Sequence, residues 1–133
     1  MTTSLESLAT GKYLSLTTFK RDGSAVATPV WFVREGDALR VVTDVDAGKA
    51  KRIRNSGSVL VAPCDMRGNI QGDQVPATAE LQDADATVET AAAIRARYGI
   101  VAWFMMRRAQ RKVKKTGVPT QVGIVIRLSQ TGD

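Results

Sequence analysis

Alternating hydrophobic and polar positions recur along the chain and predict a fold rich in strands. Within Tyr13–Phe19, residues Leu14, Leu16 and Thr18 share one side and the intervening residues share the other, a period of two that marks a strand. The Asp22–Gly23 pair that follows is typical of a hairpin turn. The same pattern predicts six strands in all, namely Tyr13–Phe19, Ala25–Val33, Ala38–Thr43, Ser58–Pro63, Val75–Leu81 and Thr120–Leu128.

Helices are predicted between these strands from capping residues and glycine breaks. The segment Thr3–Glu6 fits a capping box that opens a short helix, with Leu5 and Leu8 facing inward. A helix over Ala86–Tyr98 has a thin apolar face that includes Val88 and Ile94. The predicted helices are one from Thr3 to Gly11, Ala47–Asn55 capped by Asp44 or Asp46, Ala86–Tyr98 capped by Asp83 or Asp85, and Val101–Lys114.

The order of these elements predicts a mainly β fold, a six-stranded antiparallel sheet closed into a barrel with flanking helices. Most links between strands are short, which favours antiparallel neighbours and closure. Residues 1–133 show no internal repeat or linker and are expected to form one domain. Because proline cannot donate to a sheet ladder, Pro29 is expected at an edge, at a bulge or beside a ligand.

Composition narrows the functional classes. The 133 residues carry a net charge of +6, one cysteine and no histidine, so catalysis by a Ser-His-Asp or Cys-His set and a His-ligated metal site are excluded. No metal site is expected. The lone cysteine and the lack of a long apolar run predict a cytoplasmic protein without stable membrane insertion. Positive charge indicates an anionic partner, and the absence of interleaved basic and aromatic residues argues against nucleic acid.

The segment Thr43–Arg54 is the most informative basic region. A strand is predicted to end at Thr43, and Lys49, Lys51 and Arg52 fall in the first turns of the helix that follows. The positive end of a helix dipole and its unpaired N–H groups form an anion site, and these side chains would add donors. The alternative is a basic helix that is simply solvated.

A second basic region, Arg107–Lys115, follows the apolar residues 103–106. Three interpretations stay open for this stretch. It is a helix that covers the core with a solvated basic face, a contact with a substrate pocket or a dimer interface, or an amphipathic helix that binds a surface.

The motifs together resemble the pyridoxamine 5'-phosphate oxidase-like family of flavin-binding split barrels. The segment Thr43–Lys49 matches the family's phosphate pattern Thr-Asn-x-x-Ser-x-Lys at its Thr and Lys, with Ala47 where the family often has serine. The segment Ala27–Phe32 is similar to the actinobacterial branch that uses the deazaflavin coenzyme F420. The other matching segments are Tyr13–Thr18, Gly48–Arg54 and Val61–Asp65.

The resemblance implies a homodimer with cofactor sites at the interface. It places the ring beside Thr28, Pro29, Val30 and Trp31, and a loosely aligned Gln74 against the ring. It implies that the cofactor phosphate is bound by Thr43, Lys49, Lys51 and Arg52.

The implied activity is hydride transfer between coenzyme F420 and an unidentified small organic acceptor. The basic residues suit the anionic tail of F420, and the arginine that FMN-using oxidases often carry on the second strand is missing from Ala25–Val33. The alternatives are an FMN-binding oxidoreductase on the same fold, an F420 carrier without turnover, and a basic nucleic-acid-binding barrel. Tyr13 and Cys64 are candidate proton donors, although each residue type is more often structural.

Overall fold

A computed structural model describes residues 5, 8, 11–44, 47–99 and 121–128. Of the predicted N-terminal helix, Leu5 and Leu8 are helical and Gly11 lies in a bend. The other residues of that helix, Asp46, the basic region Arg107–Lys115 and the helix predicted over Val101–Lys114 lie outside the described residues. The described elements are β1 (Tyr13–Phe19), β2 (Ala25–Val30), β3 (Val33–Glu35), β4 (Ala38–Asp44), α1 (Gly48–Asn55), β5 (Ser58–Cys64), β6 (Val75–Leu81), α2 (Ala84–Tyr98) and β7 (Gln121–Leu128).

The seven strands form one antiparallel sheet in the order β2-β1-β5-β6-β7-β4-β3. Its two outermost strands, β2 and β3, are joined by only Trp31 and Phe32. Because each residue spans at most about 3.6 Å, the two edges must lie close together. The sheet is therefore curled, which confirms the mainly β, antiparallel barrel predicted from the sequence.

The prediction of a single strand over Ala25–Val33 is wrong, which accounts for seven strands instead of six. The ladder with β1 ends at Val30. The N–H of Phe32 instead donates to the Tyr98 hydroxyl at 3.1 Å, and Arg97 Nη1 donates to the Phe32 carbonyl at 2.9 Å. Side chains of α2 thus satisfy the backbone where the chain leaves one edge for the other. Pro29 lies on the edge strand β2, one of the positions expected for it.

The core fills the inside of the curled sheet and includes one side of α1. Leu14 and Leu16 of β1 are fully buried, as their alternation predicts, and the helical Leu8 is buried with them. Ala50 and Ile53 are the buried residues of α1 and lie on the side that faces this core. The remaining members of the main cluster are Phe32, Leu39, Val41, Val59, Val61, Ala77, Ala79, Ile124 and Ile126.

The caps and faces of the helices differ in part from the predictions. The N-cap of α1 is Ala47, without a side-chain cap among the described residues, so the predicted cap by Asp44 is wrong, because Asp44 ends β4; the alternative cap, Asp46, lies outside the described residues. Asp83 caps α2 as predicted, accepting from the N–H of Ala86 at 2.8 Å. The predicted apolar face of α2 is wrong at Val88, which is 67% exposed. The buried residues of α2 are Thr87, Thr90 and Ile94.

Threonines replace apolar side chains on the buried face of α2 because their hydroxyls have partners there. The hydroxyl of Thr87 donates to the Asp83 carbonyl at 2.7 Å and accepts from the Gly123 N–H at 2.8 Å. Thr90 donates to Gln82 Oε1 at 2.7 Å. Buried hydroxyls cost little when they are hydrogen-bonded in this way, so α2 packs on β7 through polar contacts.

Candidate functional site

A cavity of about 280 Å³ lies where the edge strand β2, the end of β4 and the first turn of α1 meet. We refer to it as the main cavity. The starts of β1 and β7, the loop after β5 and a residue of α2 complete its wall. Its lining residues are Tyr13, Pro29, Val30, Trp31, Val42, Thr43, Lys49, Met66, Ile94 and Gln121.

One wall of the main cavity is the indole of Trp31, which is held in place from behind. The ring of Tyr98 stacks on it with a centroid distance of 5.0 Å and an interplanar angle of 13°. The Tyr98 hydroxyl lies 2.7 Å from the Lys12 carbonyl and 2.9 Å from the Phe32 carbonyl, within donating distance of both. Burial raises the pKa of Tyr98, so the hydroxyl stays protonated. The cavity therefore has a fixed aromatic wall.

A polar wall is formed by Thr43 and Lys49. Thr43 is 8% exposed near the end of β4, and Lys49 lies in the first turn of α1. That turn contains no acidic residue, and no side chain of the described residues caps it. Backbone N–H groups at such a helix start remain available to an anion. The wall thus combines a hydroxyl, an ammonium and the positive end of a short helix.

The ammonium of Lys49 is in an unfavourable environment for its charge. Burial lowers its pKa from the usual 10.5, and the nearby positive charge of Arg52 lowers it further, while Asp44 acts in the opposite direction. No carboxylate among the described residues lies within ion-pair distance of Lys49. An anion bound beside Lys49 would relieve both unfavourable effects.

Most, but not all, of the predicted site residues lie together. Pro29, Val30 and Trp31 share the main cavity with Thr43 and Lys49. These residues come from an edge strand, a central strand and a helix that are separate in the sequence. The geometry therefore joins the two segments that the family resemblance assigned to the ring and to the phosphate.

Lys51 and Arg52 lie beside a neighbouring concavity rather than the main cavity. Arg52 is anchored there, because its Nε donates to the hydroxyl of the buried Thr18 at 2.5 Å. Arg52 follows Lys49 by three positions on α1, about one helical turn, so the two cations are nevertheless close.

Thr28 and Gln74 do not line the main cavity. Thr28 is the register partner of Leu16 and shares its face of the sheet. Gln74 is exposed, and its Nε2 lies 3.4 Å from the Thr17 hydroxyl, on the other face of β1.

Sequence reasoning missed Val42, Met66, Ile94 and Gln121 as lining residues. Gln121 reaches the cavity only through its pairing with Asp44, a long-range contact with no local signal. Met66 lies in a loop and is 67% exposed. A large apolar residue exposed beside a cavity is a signal for a binding site, but this exposure cannot be read from the sequence.

The two candidate proton donors have different surroundings. Tyr13 lines the main cavity. Cys64 is buried and outside the lining, and burial raises the pKa of its thiol. A protonated, buried thiol is not an activated nucleophile, so Cys64 has the character of a core residue.

Two further properties of the described residues bear on the site. Within residues 11–44, 47–99 and 121–128, His, Cys, Asp and Glu side chains do not gather in a group of three that would hold a metal ion. None of the helices in this part of the chain is both long enough and apolar enough to cross a membrane.

Solved structures share this fold at low sequence identity. An F420 reductase is 17% identical with a TM-score of 0.58, and the alignment covers 97% of this chain and 96% of that one. The haem storage protein HutZ from Vibrio cholerae is 16% identical with a TM-score of 0.65, covering 90% and 83%. A protein from Listeria innocua assigned as a pyridoxamine 5'-phosphate oxidase is 18% identical with a TM-score of 0.59, covering 95% and 88%.

These likenesses establish the split-barrel fold, whereas the sequence itself establishes the family. No curated protein matches the chain. The family model of pyridoxamine 5'-phosphate oxidase, however, matches residues 4–130, nearly the whole length, including both walls of the main cavity. The chain belongs to the pyridoxamine 5'-phosphate oxidase family.

Proposed function

We propose that the protein binds the deazaflavin coenzyme F420 in the main cavity and transfers hydride to a small organic acceptor. The observation that carries this proposal is that Trp31, Thr43 and Lys49 line one cavity. An aromatic wall suits a flat heteroaromatic ring, and a hydroxyl beside a partly buried ammonium suits a phosphate. The fold shared with an F420 reductase supports the choice of F420.

The donor set fits the phosphate of such a cofactor. Lys49 lacks a carboxylate partner among the described residues, and the helix start beside it lacks a side-chain cap. In the proposed complex, the phosphate accepts hydrogen bonds from Lys49 and from the Thr43 hydroxyl. The ring lies along Pro29, Val30 and Trp31, with Trp31 kept in orientation by Tyr98.

The chain's own contribution is binding, orientation and exclusion of water. A bound reduced deazaflavin supplies the hydride itself, so the protein needs no strong acid or base for that chemistry. The protic side chains along the cavity are those of Tyr13, Thr43, Lys49 and Gln121. The apolar side chains of Val42, Met66 and Ile94 keep part of the cavity dry.

We infer that the working form is a cytoplasmic homodimer. Pockets that enclose a cofactor-sized ligand usually measure about 300–1,000 Å³, and the main cavity, at about 280 Å³, lies at the lower limit of that range. Its wall includes the edge strand β2 and the exposed loop residue Met66. A partner would enlarge the enclosed volume and shield the exposed Met66.

Parallel fluorescence titrations with F420 and FMN test the proposal. We expect F420 to bind at least about tenfold more tightly than FMN, because its anionic tail adds charge that the basic protein attracts. Tight FMN binding without F420 binding would establish the alternative, an FMN-binding oxidoreductase. Oxidation of reduced F420 by an added electron-poor acceptor separates an enzyme from a carrier without turnover, since a carrier would leave the rate at that of free coenzyme.

A further inference from the structure

A second basic concavity lies between the β1–β2 hairpin and α1. It measures about 230 Å³ and is lined by Phe19, Lys20, Arg21, Lys51, Arg52 and Asn55. We refer to it as the hairpin–helix concavity. Four of its six lining residues are cationic and none is acidic. Lys20 and Arg21 are distant in sequence from α1, so only the fold brings these four charges together.

The cations of this concavity are not neutralised within the described part of the chain. No carboxylate lies within ion-pair distance of Lys20, Arg21 or Lys51 there. Asp22 follows Arg21 in the hairpin, and its charge interacts with that of Lys20. Its carboxylate is turned back on the hairpin, where it accepts from the N–H of Ser24 at 2.9 Å and from its hydroxyl at 2.6 Å.

Arg52 is held in position rather than free to extend into solvent. Its Nε donates to the buried Thr18 hydroxyl. A Cβ atom at position 48 would lie 2.6 Å from Arg52 Nη1, so the missing side chain of Gly48 leaves the space that the guanidinium occupies. An arginine fixed in this way loses little entropy when it binds an anion.

We propose that the hairpin–helix concavity is a second anion-binding site, in which Lys20, Arg21, Lys51 and Arg52 hold phosphate or carboxylate groups. The ligand has at least two negative charges, because a single charge would leave the four cations largely uncompensated. The anionic groups belong either to an extension of the ligand in the main cavity or to a separate small anion. The proposal does not depend on F420 as the cofactor.

Calorimetric titration with tripolyphosphate at about 0.15 M salt tests the site directly. We expect the wild type to bind it, and the double variant Lys20→Glu/Arg21→Glu to bind at least about tenfold more weakly. The matched control is Arg34→Glu/Arg127→Glu. Both control residues are exposed on β3 and β7, away from the concavity. Each reversal removes two charges, so both variants fall from +6 to +2.

The control is expected to retain binding within about twofold of the wild type. Equal losses in the two double variants would mean that only net charge matters, and would overturn the proposal. So would a wild type that does not bind tripolyphosphate, or binding that is abolished by Lys49→Ala, since the anion would then occupy the main cavity. Lys51→Glu, on the exposed side of α1, gives an independent variant if the hairpin variant does not fold.

Two further titrations identify the source of the anion. If the groups belong to an extension of the cofactor, Lys20→Glu/Arg21→Glu weakens F420 binding about tenfold but leaves FMN, which carries a single phosphate, unaffected. If the anion is a separate molecule, F420 and FMN both bind the variant as they bind the wild type, while tripolyphosphate does not. Loss of F420 and FMN alike, with tripolyphosphate binding intact, contradicts the proposed site.

Discussion

At the scale of single residues, the site depends on a lysine that folding has made unusually responsive to an anion. Lys49 combines partial burial, a nearby like charge from Arg52 and the start of α1. Each of these disfavours an isolated ammonium, and each is offset when a phosphate binds. The Thr-to-Lys spacing indicated this residue from the sequence alone. The like charge of Arg52 was predictable, because the two residues are three positions apart on the predicted helix, whereas the burial that lowers the pKa of Lys49 most arises only on folding.

The lowered pKa of Lys49 leads to a pH-dependent affinity. Only the protonated ammonium attracts phosphate, so affinity is full below the pKa of Lys49 and falls as the pH rises through it, below the usual 10.5. Lys49→Arg keeps its charge across this range and should show no such fall. Titrations of F420 between about pH 7.5 and 10.5 measure its affinity for the wild type and for Lys49→Arg. Ionisation of the ligand affects both affinities equally, so it cancels in their ratio. Parallel curves for the two proteins would contradict the role of Lys49.

At the scale of elements, α2 determines how the edge of the barrel is built. Its last turn supplies Arg97 and Tyr98, which contact the backbone of Phe32 where the chain passes from β2 to β3. The alternation of Ala25–Val33 gave no sign of this break, because its cause is more than 60 residues away in sequence. Local sequence patterns predicted the strands and the Asp83 cap. The end of β2 was not predicted, because contacts between distant elements determine it.

Removing the Tyr98 hydroxyl should therefore destabilise the fold. Tyr98→Phe leaves the partly buried Phe32 N–H without its acceptor, and we expect the free energy of unfolding to fall by about 1–3 kcal/mol. Urea denaturation provides the measurement. Tyr13→Phe is the matched control, because the Tyr13 hydroxyl makes no hydrogen bond in the described part of the chain, and it should change stability by less than about 0.5 kcal/mol. Equal effects would show that the Tyr98 hydrogen bond contributes nothing specific.

At the scale of the whole molecule, the curled sheet brings Trp31 and Lys49 to one cavity although they lie on separate elements. The antiparallel barrel was predictable from six alternating segments with short links. The positions of Thr28 and Gln74 outside the main cavity were not predictable. An alignment transfers the order of residues along the chain, but it does not show on which face of the sheet a side chain lies. The register of β2 with β1 assigns Thr28 to the core side.

The small main cavity predicts an oligomer. Light scattering after size exclusion should give a mass of twice the 14.3 kDa of one chain. Quenching of Trp31 by acrylamide should decrease as concentration drives association, because the partner covers the wall beside it. Trp103→Phe provides a background in which Trp31 is the only tryptophan. A monomer that binds its cofactor with full affinity would show that one chain completes the site.

The central claim is that a phosphorylated cofactor binds beside Lys49, and its most direct test is the affinity of F420 for two lysine variants. Calorimetry on the wild type, Lys49→Ala and Lys51→Ala compares lysines that are two positions apart on α1 but line different concavities. We predict that Lys49→Ala weakens binding by about 1–3 kcal/mol, the range for a lost charged hydrogen bond, and that Lys51→Ala has a smaller effect. Unchanged affinity in Lys49→Ala would contradict the account.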